Sequence, residues 1–240
     1  TGTGAAQSIT GVGFRPDLIW IKRYDGTAEH KLFDINRNNY FSKKALELNT
    51  TALIPDTTLM QSLDADGFSL AGTVNGNTNT EEYIAYCWKG GGSVARGNPD
   101  GDAEDSTVSL NAAAGISIIE YTGTGGGGNS WRTHGLGAYP HWQLYKCIAG
   151  RTEDWFDWSH KVVSSKYASN LSNTNQATTF GIAWNSTDPT NDLFVTGYAQ
   201  QTNEATNEYV NYAFTSIKGF SKMNQFIGNG NADGPFVYTG

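Results

Sequence analysis

The sequence predicts an all-β chain: an antiparallel β-sandwich built from two tandem sequence repeats. Three observations predict it. The first is composition: 29 of 240 residues are Gly, aromatics make up 12%, and charged residues only 16%, against roughly 25% in an ordinary soluble domain. Gly, Thr, Asn and aromatics suit short strands joined by tight turns, whereas long helices want Ala, Leu, Glu and Lys. The second is a set of short β-rich runs, each bounded by Gly, Asn, Asp or Pro. The third is an internal repeat.

The strand candidates, in order, are residues 18–23, 67–71, 82–89, 116–122, 142–147, 193–196 and 209–215. Asp66-Gly67 and Asp100-Gly101 are hairpin-type turn signals. The Gly-X-Gly segments before Phe14 and Ala138 supply the backbone freedom for a tight entry turn. Residues 42–48 read equally as a short helix or a strand, and no helical period is sustained elsewhere.

The repeat is the strongest signal. Thr1-Gly2-Thr3-Gly4 recurs at Thr122-Gly123-Thr124-Gly125. Gly11-Val12-Gly13-Phe14-Arg15-Pro16 corresponds to Gly135-Leu136-Gly137-Ala138-Tyr139-Pro140, and each is followed by a strand-like run that ends in Lys. Phe33-Asp34 matches Phe156-Asp157, and Glu82-Tyr83-Ile84-Ala85-Tyr86 matches Glu208-Tyr209-Val210-Asn211-Tyr212, at offsets between 121 and 126. The chain therefore divides into a first copy over 1–92, a linker or long hairpin over 93–106, a second copy over 107–226, and the start of a third over 227–240. The ends, TGTG and FVYTG, read as cut from a longer array. We expect two sheets face to face with the copies contributing pseudo-symmetrically to one sandwich; two small sandwiches in series are the alternative.

Alternation along the strands assigns faces. Leu18 and Trp20, matched by Trp142 and Leu144, are expected to face the core, as are Ile84, Tyr86 and Trp88, matched by Val210, Tyr212 and Phe214. Ile19 and Ile21, matched by Gln143 and Tyr145, are expected on a wetter surface or against a neighbour.

Charge and motif content narrow the function. A net charge of −7 without clustered Lys and Arg argues against nucleic acid and against an anionic membrane surface. No apolar run reaches the roughly 20 residues of a membrane helix, and no secretory leader is expected. Cys87 and Cys147 read as two free thiols rather than a bridge, and neither has metal-ligand spacing. No nucleophile elbow or phosphate loop is found, and no carboxylate pair has the alternate spacing of a glycoside hydrolase. Glu81 and Glu82 are adjacent and point opposite ways. No enzymatic activity and no catalytic residue are predicted.

Two binding chemistries remain. Sugar rings stack on flat aromatic faces while Asp, Asn and Arg hold their hydroxyls. Trp131 and Arg132 follow a Gly-rich loop, and Asp154, Trp155, Asp157, Trp158 and His160 set aromatics beside carboxylates. These seven are the candidate glycan site. Most Trp residues are core, but Trp155 and Trp158 lie three apart, so they cannot share one strand face, and one exposed ring is expected. Calcium is the weaker reading: Asn98, Asp100, Asp102, Glu104 and Asp105 alternate, yet lack the spaced Glu that closes a calcium loop. No cofactor is expected.

The pattern YTGTG, GVGFRPDLIWIK, LFD, DGF and NGNTNTEEYIAYCWK, run through twice, resembles a repeat domain of bacteriophage tail-fibre and other virion surface proteins. The resemblance covers nearly the whole chain. It implies a concanavalin-like or jelly-roll sandwich on a virion surface. For such a module the expected partners are further copies of itself (a trimer included) or other virion proteins, with cell-surface glycans as ligands of the second copy's aromatic loops. The second copy departs from it at Tyr139-Pro140-His141-Trp142, where Arg-Pro-Asp is usual. The readings carried forward are a structural and adhesion module, a stand-alone secreted lectin, and, last, a glycan-degrading enzyme.

Overall fold

The computed structural model describes residues 1–37, 45–52, 59–72, 76–96, 106–161, 166–174 and 176–238. Among them are seventeen strands, two 3-10 turns and one single-turn helix. The first half carries β1 (Gln7–Thr10), β2 (Leu18–Arg23), β3 (Lys31–Asp34), β4 (Leu46–Glu47), β5 (Met60–Asp64), β6 (Gly67–Leu70) and β7 (Tyr83–Trp88). Then come β8 (Ser93–Arg96), β9 (Ser106–Asn111), β10 (Ile116–Thr122), β11 (Ser130–Thr133), β12 (Trp142–Ala149), β13 (Phe156–Ser159), β14 (Tyr167–Asn170), β15 (Thr178–Thr179), β16 (Leu193–Thr196), α1 (Gln200–Asn203) and β17 (Glu208–Phe214).

All strand pairs are antiparallel. They form four sheets, ordered β1-β6-β5, β4-β3-β2-β7, β15-β14-β13-β12-β17-β10-β9-β8 and β11-β16. The fold is an all-β sandwich. The stretch read as linker or long hairpin contributes β8, which pairs with β9. No strand is found in residues 224–238.

Three apolar clusters fill three spaces between sheets. Ile19, Ile21 and Phe33 meet Met60, Phe68 and Leu70, joining the three-stranded sheet to the four-stranded one. Leu18, Leu32 and Leu46 meet Ile116, Ile118, Leu144, Val210, Tyr212 and Phe214, joining the four-stranded sheet to one face of the eight-stranded sheet. Ile119, Tyr121, Tyr145, Cys147 and Tyr209 meet Phe194, Ala183 and Trp184 on its other face. The layers therefore number four, and the single two-sheet sandwich expected from the sequence is corrected to this stack.

The stack also corrects the face assignments. Ile19, Ile21, Gln143 and Tyr145, expected on wetter faces, are 0–2% exposed. Strands with a sheet on both sides bury both faces, so they lose the in–out alternation. Gln143 stays buried because its Oε1 accepts from Tyr145 Oη and Asn211 Nδ2, both at 2.9 Å. Conversely, Ile84 and Tyr86, expected in the core, are 41% and 43% exposed, while Val210 and Tyr212 are buried as expected.

Residues aligned between the halves hold corresponding places. Leu18 lies opposite Trp88 and Trp20 opposite Tyr86; Trp142 lies opposite Phe214 and Leu144 opposite Tyr212. In the next strand the correspondence slips: Ile19 faces Phe33, but Gln143 faces Trp158 rather than Phe156.

Polar bonds lock the halves together. Tyr212 Oη donates to Asp34 Oδ2 at 2.6 Å, Trp155 Nε1 to the Glu47 carbonyl at 2.7 Å, and Asn36 Nδ2 to the Ile118 carbonyl at 2.5 Å. Ser109 Oγ and Gly92 N both donate to Asp17 Oδ2. Buried polar groups that find partners in this way keep the sheets in one register.

Candidate functional site

The structure separates the seven residues predicted as a glycan site. Trp155 is 0% exposed in the space between the halves, stacked on Tyr212 at 6.2 Å. Trp158 is 0% exposed in the cluster on the opposite face of the eight-stranded sheet. The three-residue spacing does place them on opposite faces, but both faces are covered, so the expectation of one exposed ring is corrected. Neither can stack on a sugar without opening the core.

Arg132 is also fully buried. Its guanidinium donates to the Thr122 carbonyl at 3.0 Å, to Asn203 Oδ1 at 3.1 Å and to Thr196 Oγ1, and lies 4.2 Å from the centre of the Tyr121 ring. A cation over an aromatic face with carbonyl acceptors is a built structural site. Asp157, 9% exposed, accepts from Ser169 Oγ, and burial pushes its carboxyl above the usual range. Asp154 is half-buried and accepts from Ser172 Oγ and Asn170 Nδ2. His160 packs edge-to-face on His141 at 4.4 Å and bonds its carbonyl. Trp131, partly exposed, stands beside Arg132 on β11, in a different sheet from the strand that carries Asp157 and Trp158.

The calcium candidates Asn98, Asp100, Asp102, Glu104 and Asp105 lie outside the described residues. Among the described residues, no three His, Cys, Asp or Glu side chains gather closely enough to hold a metal ion. Asp66, in the other acidic turn, accepts the amides of Gly11 and Gly13 at 3.0 and 2.6 Å, which lower its carboxyl below the usual range. Cys87 and Cys147 are free thiols.

What the structure does assemble is an aromatic cleft where the halves meet, with a volume of about 370 Å³. One wall carries Leu18, Trp20, Leu32 and Trp88; the other carries Trp142, Leu144, Tyr212 and Phe214. Trp20 stacks on His30 at 5.5 Å and tilts against Tyr86 at 5.1 Å, and Trp142 stacks on Phe214 at 5.2 Å. His30 and Asn49 supply polar margin, and burial lowers the His30 imidazole below its ordinary value. Trp20 Nε1 is buried with no hydrogen-bond partner among the described residues. Stacked ring faces beside a small polar rim suit a flat apolar ligand face, such as the C–H face of a sugar ring.

Sequence reasoning placed Trp20, Trp88 and Trp142 in the core and so missed this cleft. They are core-facing, yet none is fully buried. The available signal was that Leu18, Trp20 and Trp88 are matched by Trp142, Leu144 and Phe214: corresponding strands meeting face to face put these side chains on facing walls.

A family described as a domain of unknown function (DUF7483) matches residues 1–240. No curated protein matches the chain, and no solved structure does.

Proposed function

The chain belongs to the DUF7483 family, and from that premise we propose that it is a non-enzymatic structural and adhesion module of a virion fibre, spike or capsid decoration. On this reading it is one β-unit used twice, stacked into a rigid block, with host-surface glycans as its ligands and the aromatic cleft as their site. The virion setting rests on the resemblance of the repeat pattern.

The observation that supports the reading is where the reactive and the flat side chains go. Arg132, His134, Lys146 and Asp157 are at most 9% exposed, and each is hydrogen-bonded inside the fold. The rings of Trp20, Trp88 and Trp142 instead border open space. A scaffold that holds its polar groups internally and presents rings at a seam is built to stand and to stack, and exposed aromatic surface marks interaction sites.

The test is a glycan array probed with the full chain and with Trp88→Ala and Trp142→Ala variants of verified fold. The reading expects a bound subset of glycans that both variants lose. Binding that survives both substitutions would remove the cleft from the account. Turnover of any polysaccharide on the array would replace the module with an enzyme.

A further inference from the structure

We propose that His141, His160, Lys161 and Lys222 form a binding site for one anionic group, the carboxylate or sulfate ester of an acidic sugar. None of the four lines the aromatic cleft. The site rests on the glycan reading above only in naming a sugar as the carrier of the charge.

The argument begins from a place that the two halves share. In the first half, Asp17 N donates to the Trp88 carbonyl at 2.9 Å, and the Asp17 carbonyl accepts from Ile35 N at 2.9 Å. In the second, His141 N donates to the Phe214 carbonyl at 2.7 Å, and the His141 carbonyl accepts from His160 N at 3.2 Å. The backbone frame is the same, but the side chains on it are not. Arg15-Pro16-Asp17 becomes Tyr139-Pro140-His141, and His160, followed by Lys161, takes the place of Ile35. A frame that also forms around a carboxylate and an aliphatic side chain does not itself call for two imidazoles.

Both rings are fixed from behind. The Ser216 amide can only donate, and it donates to His141 Nδ1 at 2.9 Å, so in the neutral ring the proton sits on Nε2. His160 Nδ1 donates to the His141 carbonyl at 3.1 Å, and the two rings pack edge to face at 4.4 Å. Each ring uses Nδ1 inside the fold. What is left for a ligand is Nε2, an N–H on His141 and, on His160, a nitrogen that donates once the ring is protonated.

Three chain segments bring the charge together: the entry to β12, the exit from β13, and the turn closed by the Ile217–Ser221 bridge, which carries Lys222 just beyond it. Burial, His160, Lys222 and Lys161, in that order, hold the His141 imidazole below its ordinary value, and no carboxylate is among these causes. Asp188 acts on Tyr139 but is not one of them. Both lysines are exposed, and among the described residues neither has an ion-pair partner. On a chain of net charge −7 this is a local reversal of sign. Cations held together repel, and an oxyanion set among them relieves that repulsion while accepting charge-assisted hydrogen bonds from imidazole and ammonium. Two lysines and two histidines suit a single anionic group. They are too few to track a nucleic-acid backbone or an anionic membrane.

The experiment follows the imidazole ring C–H signals of the full chain by NMR through a pH titration. It is run in sodium chloride, sodium glucuronate, the sodium salt of a sulfated hexose, and inorganic sodium sulfate, all at equal ionic strength. Four histidines keep the spectrum assignable. Wild type is compared with the double variant Lys161→Ala/Lys222→Ala, and the buried His134 reports that the variant is folded. In chloride the His141 midpoint should be higher in the variant, because two repelling charges are gone. With glucuronate or the sulfated hexose, the wild-type midpoint should rise by about half a pH unit or more, and the rise should be about threefold smaller in the variant. Midpoints indifferent to the anion would overturn the site. A rise that survives the double substitution would overturn it too, since the anion then binds elsewhere. A response to inorganic sulfate with none to either sugar would overturn the acidic sugar as ligand and leave an adventitious ion only. The Trp88→Ala and Trp142→Ala variants report on the cleft separately, so failure of the anion site and failure of the glycan reading there are told apart.

Discussion

His134 makes this fold acid-labile in a way that can be worked out. Its ring is 0% exposed. Nδ1 accepts the Leu136 amide at 3.1 Å, so the proton sits on Nε2, which donates to the Thr190 carbonyl at 3.2 Å. Protonating Nδ1 would set two donors against each other in a buried site. Burial accordingly drives the imidazole down from 6.5 to about 4. The unfolded chain takes up its proton near pH 6.5, the folded chain only near 4, so between these values the unfolded state binds more protons and stability falls as pH falls. At about 1.4 kcal/mol per unit, the loss between about pH 7 and about pH 4.5 is roughly 2 kcal/mol from this one side chain. The assay is urea unfolding of wild type and His134→Gln, whose amide can accept from Leu136 and donate to Thr190 without titrating. The stability difference between the two proteins should shift by about 2 kcal/mol in favour of the variant over that range. A difference that stays constant with pH would refute the reasoning.

Two further predictions concern the core. Trp155→Ala and Trp158→Ala should each cost about 3–5 kcal/mol in urea unfolding, since both rings are fully enclosed; a loss under about 1 kcal/mol would contradict their burial. Asn203→Ala should cost about 3 kcal/mol, because its side chain serves Thr124 N, Ser130 Oγ and the Arg132 guanidinium at once. Asn77→Ala, which frees Thr3 N and the carbonyls of Ala5 and Ala71, should cost a similar amount, and unequal losses would argue against Asn77 and Asn203 playing equivalent parts.

The strands were legible because Gly, Asn and Asp punctuate them: β2, β10 and β16 begin and end where the runs do. Their environment was not. A strand such as β12 with sheets on both sides reads like one with a wet face, because the polar Gln143 is held inside the core, its Oε1 accepting from Tyr145 Oη and Asn211 Nδ2. Trp155 and Trp158 fall on opposite faces as their spacing predicts, but the burial of Trp155 depends on a layer more than a hundred positions away, such as Glu47, which accepts from its indole, and that of Trp158 on Trp184 and Phe194, from elements the local pattern does not reveal. The TGTG segments are visible as a repeat, and the pattern that binds them, Asn77-x-x-Thr80-x-Glu82-Tyr83 and Asn203-x-x-Thr206-x-Glu208-Tyr209, stands in the sequence at the offset of the matched strands, but that Asn77 and Asn203 accept from Thr3 N and Thr124 N shows only in the structure. The cleft was hidden because it belongs to neither half alone.

The two halves are read as one β-unit used twice, and residue-resolved hydrogen exchange on the full chain tests that reading. The amides of Ile84 and Tyr86 on β7, paired to β2, and those of Val210 and Tyr212 on β17, paired to β12, should all be protected far beyond loop amides. Protection of one strand with free exchange of the other would contradict it.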